Sequence, residues 1–302
     1  MNLIKPQKLK KGDTIGIIAP CSALPEKAKD TFMKIEETDF RVKLSKNLFS
    51  ATNDYVATID ERIEDINEML EDENVKAILF GGGFNSNELL PYIDYEKVRS
   101  NPKIWCSFSG GTTLINTIYS QAGLSAFCGA SARLLSEKLP YTVKTFEDAV
   151  MNTSSAAFSH NSEWSCVCAG NAQGVLIGGN LQIFSWLLNG KYFNIDKSQK
   201  YILFIEEFSA SADLRFVGRC FHHIIQSILM DNISGILFGS YDLEQDSEIE
   251  KILKREFGRF GFPIIKCDDF GHRENCGTIP IGINARLDTD NLTLEFLESR
   301  VY

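Results

Sequence analysis

Three short apolar runs, each closed by a loop of small residues, set the fold class of this 302-residue chain. The first spans Thr14 to Ala19 and stops at Pro20. The second spans Val75 to Phe80 and stops at Gly81, Gly82 and Gly83. The third spans Lys103 to Phe108 and stops at Ser109. Runs of this length between breakers read as strands buried on both faces. Between the first two, Ile59, Ile63, Ile66 and Leu70 recur at helical spacing, and Thr58 with Glu61 three residues on makes a capping box. A further helix is expected over 25–38. Strands that alternate with helices imply a parallel sheet covered on both faces, whose ligands bind beyond the carboxyl ends of the strands. The loops at Pro20, Gly81 and Ser109 are therefore expected to meet at one edge.

The segment 151–170 breaks this pattern. It is rich in Ser, Ala and Asn, carries His160, Trp164, Cys166 and Cys168, and reads as a linker or mobile loop. It divides an α/β domain over 1–150 from a smaller, β-rich α+β domain over 171–302. In the second domain strands are expected over 174–177, 201–205, 233–238, 263–266 and 292–296. Two helices are expected there, over 214–230 and 247–257.

A formal charge of −9 weighs against nucleic acid as a partner, because phosphate backbones repel an acidic surface. No apolar segment reaches the length of a membrane span. The run after the N-terminal lysines is too short for a secretory core, so a cytoplasmic location is expected. The eight cysteines show no CxxC or zinc spacing. Several lie in apolar runs, where a free thiol acts as a small hydrophobe, as suits a reducing compartment. His222 and His223 are adjacent on a helical pattern, cannot share a face and make a poor metal pair.

Four constellations bear chemistry. Ser109, followed by Gly110 and Gly111 at a strand-to-helix turn, half matches a nucleophile elbow, and the same pattern also describes a serine capping a helix. The glycines 81–83 either hold an anion on backbone donors or make a tight turn. Glu206 and Glu207 end an apolar run, where a carboxylate can orient a histidine or lie paired at the surface. His272 follows a strand and Gly271, a position suited to a base on a loop. Chain order Ser, acid, His also allows an α/β-hydrolase.

Taken in order, these motifs resemble one family. The opening from Ile4 to Pro20, the segment from Gly82 to Asp94, Ser109, the stretch Gly178 to Leu181, Glu206, and Phe270 to His272 together are similar to the LD-carboxypeptidase and microcin C immunity family. The resemblance runs along essentially the whole chain. It implies a flavodoxin-like first domain and a compact β-rich second one, with a Ser109, Glu206 and His272 triad in the cleft between them. It also implies an oxyanion hole of Gly110 with Gly83 or Gly82, no metal or organic cofactor, and a homodimer. The implied substrate is a small peptide-like amide such as a peptidyl or aminoacyl nucleotide. The alternatives are a murein tetrapeptide cleaved at its L,D-amide and non-catalytic sequestration of such a ligand. In immunity-type relatives a mobile loop carries aromatics that stack on the nucleobase; Trp164 would do so here, or else pack the domain interface. The chain departs from the family's usual Asp after the nucleophile, where it has Gly110, and from the Arg often found ahead of the glycine pair, where it has Gly81.

Overall fold

The computed structural model describes residues 3–52, 55–154, 156–188, 190–210, 212–241 and 245–302. The first sheet is built from β1 (Thr14–Ile18), β2 (Arg41–Leu44), β3 (Val75–Phe80), β4 (Ile104–Ser107) and β5 (Ala126–Cys128). These five run parallel in the order β2-β1-β3-β4-β5, the flavodoxin-like order. Alternate residues feed opposite faces. Ile15, Ile17, Ala77, Leu79 and Ile104 enter a core on one side. Ile18, Val75, Ile78, Phe80 and Trp105 enter the other, which continues without a break into the second half of the chain.

The second sheet is built from β6 (Ser165–Cys168), β7 (Asn171–Asn180), β8 (Tyr201–Glu206), β9 (Ile233–Phe238), β10 (Ile264–Lys266), β12 (Asn284–Asp288) and β13 (Thr293–Phe296). Its order is β13-β12-β7-β8-β9-β10-β6. The central four, β7 to β10, are parallel, and helices Leu181–Leu187, Leu214–Ile225 and Asp246–Phe257 make their crossovers. This half is therefore wound as α/β at its centre, with antiparallel strands at its margins. Each sheet can then present a carboxyl edge to a common cleft.

The capping box at Thr58 and Glu61 forms as expected on the helix Ile59–Glu71. The helix expected over 25–38 is instead an α-helix Ala28–Met33 that tightens into a 3₁₀ turn Lys34–Thr38. The one expected over 214–230 stops at Ile225. There Ser227 donates its hydroxyl to Ile224 O and accepts from Leu229 N, which draws the backbone out of helical pairing.

The segment 151–170 is not loop throughout: Ser165–Cys168 forms β6, paired with β10, and so completes the second sheet. Conversely, β11 (Ile279–Ile281) leaves the second half and pairs antiparallel with β5, and Val301 is buried in the core of the first half. None of the eight cysteines forms a disulfide, and all but Cys166 and Cys168 are buried. Among the described residues no helix is long and apolar enough to cross a membrane.

Candidate active site

Ser109 follows β4 after one residue, Phe108, and begins a 3₁₀ turn, Ser109–Gly111, that leads into the helix Thr112–Thr117. Its φ of 55° is in the left-handed region, an unfavourable place for a residue with a side chain. Such strain at a strand-to-helix bend lifts a hydroxyl clear of the backbone. It survives because the surroundings fix the turn. A Cβ on Gly110 would collide with the carbonyl carbon of Phe84 and stand 2.5 Å from Gly83 O, and one on Gly111 would collide with Ser107 Oγ. Only glycine fits either place.

The strap after β3 closes over this turn. Ser86 Oγ donates to Gly110 O at 3.2 Å, Thr113 Oγ1 to Asn87 Oδ1 at 2.6 Å, and Phe84 N–H to Ser22 Oγ at 3.3 Å. Buried Arg62 joins the strap to the loop after β1, donating to Glu88 Oε1 at 2.7 Å and to Pro20 O at 3.0 Å. Gly82 and Gly83 have φ near +129° and +128°, and a Cβ on Gly83 would stand 2.6 Å from that of Cys21. The three loops therefore do meet at one edge.

The second half supplies the other two groups from its own carboxyl edge. Glu206 is the last residue of β8 and is 1% exposed. Its Oε2 accepts from His272 Nδ1 at 2.7 Å and from the His272 backbone N–H at 3.2 Å. His272 Nε2 lies 3.0 Å from Ser109 Oγ. Gly271 allows this approach: its φ is +106°, and a Cβ there would stand 2.6 Å from Glu206 Oε2. The imidazole is stacked on Phe208 (5.1 Å, 19°) and tilted against Phe108 (5.1 Å, 55°).

Behind Glu206 lies a second buried carboxylate, Glu207, which accepts from Asn180 Nδ2 at 3.0 Å, Gln182 N at 3.0 Å and Phe208 N at 2.9 Å. Burial, with Glu206 beside it, pushes the Glu207 carboxyl above its ordinary value. For His272, burial acts downward, but the charge and hydrogen bond of Glu206, with Glu207 behind, outweigh it. The ring is held above the ordinary histidine value, with Arg133 opposing. The carboxylate thus strengthens the ring as a proton acceptor, as a group that must take one from serine requires.

The halves are locked where β7 ends. Asn116 Nδ2 donates to Gly178 O at 2.7 Å, Gly178 N–H to Asn116 Oδ1 at 3.2 Å, and Asn180 N–H to Thr112 Oγ1 at 3.0 Å. A Cβ on Gly179 would stand 2.7 Å from Thr112 Oγ1, so the glycine pair lets the helix behind Ser109 touch the sheet that carries Glu206. Asn180, Thr112 and Asn116 carry no charge and follow no catalytic spacing. Their one trace in the sequence is the stretch Gly178 to Leu181.

Trp164 is a correction. It is buried, its Nε1–H donates to Asp269 Oδ2 at 2.6 Å, and His160 stacks on its face at 4.1 Å. With a face and its donor already engaged, the indole packs the wall of the second half and is not presented to a ligand. His222 lies elsewhere, 3.0 Å from Glu256 at the surface. Among the described residues no group of three or more His, Cys, Asp or Glu is gathered as metal ligands would be.

Known proteins share this arrangement of the chain. Residues 15–129 match the LD-carboxypeptidase N-terminal domain and residues 173–287 the LD-carboxypeptidase C-terminal domain. The probable murein peptide carboxypeptidase of Bacillus subtilis (strain 168) is 30% identical over 96% of this chain and 93% of its own. The microcin C7 self-immunity protein MccF of Escherichia coli is 26% identical over 95% of this chain and 94% of its own. The crystal structure of an MccF-like protein from Bacillus anthracis str. Ames aligns with a TM-score of 0.89 and 27% identity, covering 98% of this chain and 99% of that one. With both domain models matched in order across two sheets joined at one cleft, the chain belongs to the LD-carboxypeptidase family.

Proposed function

We propose that this protein is a serine hydrolase that cleaves an amide bond in a small peptide-like substrate, with Ser109 as nucleophile, His272 as base and Glu206 as its orienting carboxylate. The observation that carries this reading is one imidazole placed 2.7 Å from Glu206 and 3.0 Å from Ser109, three groups brought together from distant parts of the chain. Ser109 Oγ attacks the amide carbonyl and gives its proton to His272 Nε2. The oxyanion that forms takes hydrogen bonds from the backbone N–H of Gly110, in the first turn of a helix, and from that of Gly83 or Gly82 in the strap. Collapse expels the amine, which leaves with the proton from His272, and an acyl-serine remains. A water that loses its proton to the same ring then releases the acid. Throughout, Glu206 keeps Nδ1 protonated and Nε2 facing the serine.

Gly110 preserves this donor. An Asp side chain there would have to occupy the space that Gly83 and Phe84 fill, so the strap and a larger residue exclude one another. The favoured substrate is a peptidyl or aminoacyl nucleotide, supported by the likeness to MccF, which has been solved in complex with glutamyl sulfamoyl guanosine. The burial of Trp164 removes that residue as the base-stacking group. The second reading, the L,D-amide of a murein tetrapeptide, is favoured by the family description and by the Bacillus relative.

Hydrolysis of glutamyl sulfamoyl adenosine and of a murein tetrapeptide by the purified protein, each beside Ser109→Ala, tests the proposal. Turnover of one of them, lost in the variant, is expected. Binding of either compound with no turnover, unchanged in the variant, contradicts the proposal and makes the protein a sequestering one.

A further inference from the structure

Phe84 has one of the most constrained backbones of the cleft and one of the least covered side chains. Its N–H is bonded to Ser22, its carbonyl carbon lies against Gly110, and Ser86, Asn87 and Glu88 after it are each tied down. Yet the residue is 87% exposed. A phenyl at the tip of a loose loop needs no explanation. A strap pinned from both halves of its length holds the backbone of Phe84 at one place, against the residue that follows Ser109. The imidazole on the far side of that serine is itself faced by Phe208, which is 41% exposed. The nucleophile thus has an exposed phenylalanine anchored next to it from the first half of the chain and a phenyl ring over its imidazole from the second.

We infer that Phe84 is a specificity-determining residue whose ring receives a planar or apolar group carried by the substrate beside its scissile bond. Anchoring the backbone that carries such a ring lowers the ordering cost of binding, and a flat aromatic face favours unsaturated groups over extended polar ones. The inference rests on Ser109 being the nucleophile, and the occupant follows from position: the backbone of Phe84 lies against Gly110, so a group held beside the scissile bond is within reach of its ring.

Two sulfonyl fluorides separate the possibilities. In both, Ser109 Oγ bonds to sulfur, fluoride leaves, and the hydroxyl proton passes to His272. Phenylmethanesulfonyl fluoride carries a benzyl group and methanesulfonyl fluoride only a methyl. The readout is the ratio of their second-order rates of Ser109 modification, followed by intact mass. In Phe84→Ala the benzyl-to-methyl ratio is expected to fall about tenfold, and in Phe84→Tyr to stay near that of the parent. A ratio unchanged in Phe84→Ala overturns the inference while leaving the nucleophile in place. So does an unchanged ratio with a shifted sedimentation coefficient, which would make the ring part of a protein interface. No adduct on Ser109 in the parent overturns both this inference and the proposed function.

Discussion

The two halves of the cleft position their groups by different physics. The Ser109 half works through backbone shape. A serine at φ 55° is held in place because Gly110 and Gly111 let the strap and β4 approach closer than any side chain allows. The Glu206 half works through buried charge. Two carboxylates at 1% exposure, Asn180 between them and three backbone N–H donors fix an imidazole by hydrogen bonds. Burying carboxylates is costly unless each is satisfied, and these are. The difference predicts how each half fails. The first breaks when atoms are added, the second when charge or a donor is removed.

Removing the reacting atom has the largest effect. Ser109→Ala is expected to lower kcat by roughly five to six orders of magnitude with an unchanged melting temperature, measured on whichever substrate the wild type turns over. Glu206→Gln keeps the shape of the charged half and removes its field, and kcat is expected to fall roughly 10⁴-fold. The pH profile gives the sign. His272 must be neutral to accept the serine proton, so activity rises with pH through its pKa, which Glu206 holds above the ordinary value. In Glu206→Gln that acid limb is expected to move to lower pH even as the plateau drops. A limb that stays in place would mean that the carboxylate does not tune the ring.

Gly110→Ala tests the shape-built half. The added methyl collides with Phe84 and Gly83 and displaces the strap together with the donors beside it. A loss in kcat on the order of 10²-fold is expected, with the pH profile unmoved; a shifted profile would blur the contrast between the halves. Trp164→Phe separates packing from ligand contact. It strips a donor from the buried Asp269 carboxylate, so a stability loss of about 1–3 kcal/mol with steady KM is expected in chemical denaturation and kinetics. A large rise in KM at full stability would return the indole to the substrate. The smallest expected effect is that of Arg133→Gln. Arg133 opposes the proton on His272, so its removal shifts the acid limb slightly upward, opposite to Glu206→Gln.

Much of the shape-built half could be read from sequence, because its signals are local. The strands β1 and β3 announce themselves as apolar runs, the Thr58 capping box forms on the residues expected, and glycines mark the loops. Ser109, Glu206 and His272 were expected from their positions after strands and from the family resemblance, and the structure brings them within hydrogen-bonding distance. What lay hidden is non-local. The pairing of β11 with β5 and of β6 with β10 joins segments far apart in the chain. Three-residue β5 and β11 are too short to show a period. The polar residues of 151–170 suggested a loop, yet an edge strand needs only one buried face. Glu207 was visible as half of an acidic pair, but Asn180, its neutral partner, carried no charge to betray it. Trp164 misled because an aromatic in a polar stretch looks available until Asp269 and His160 arrive from elsewhere in the fold.

The most direct test of the whole account is the rate of Ser109 labelling by a fluorophosphonate, followed by intact mass in the wild type and in His272→Ala across a pH series. A wild-type adduct at Ser109 is predicted, with a rate that rises through the raised pKa of His272, and with labelling slowed at least a hundredfold in His272→Ala. Labelling that is absent from the folded wild type, or equally fast without the imidazole, would contradict the claim that these halves meet to make one nucleophile.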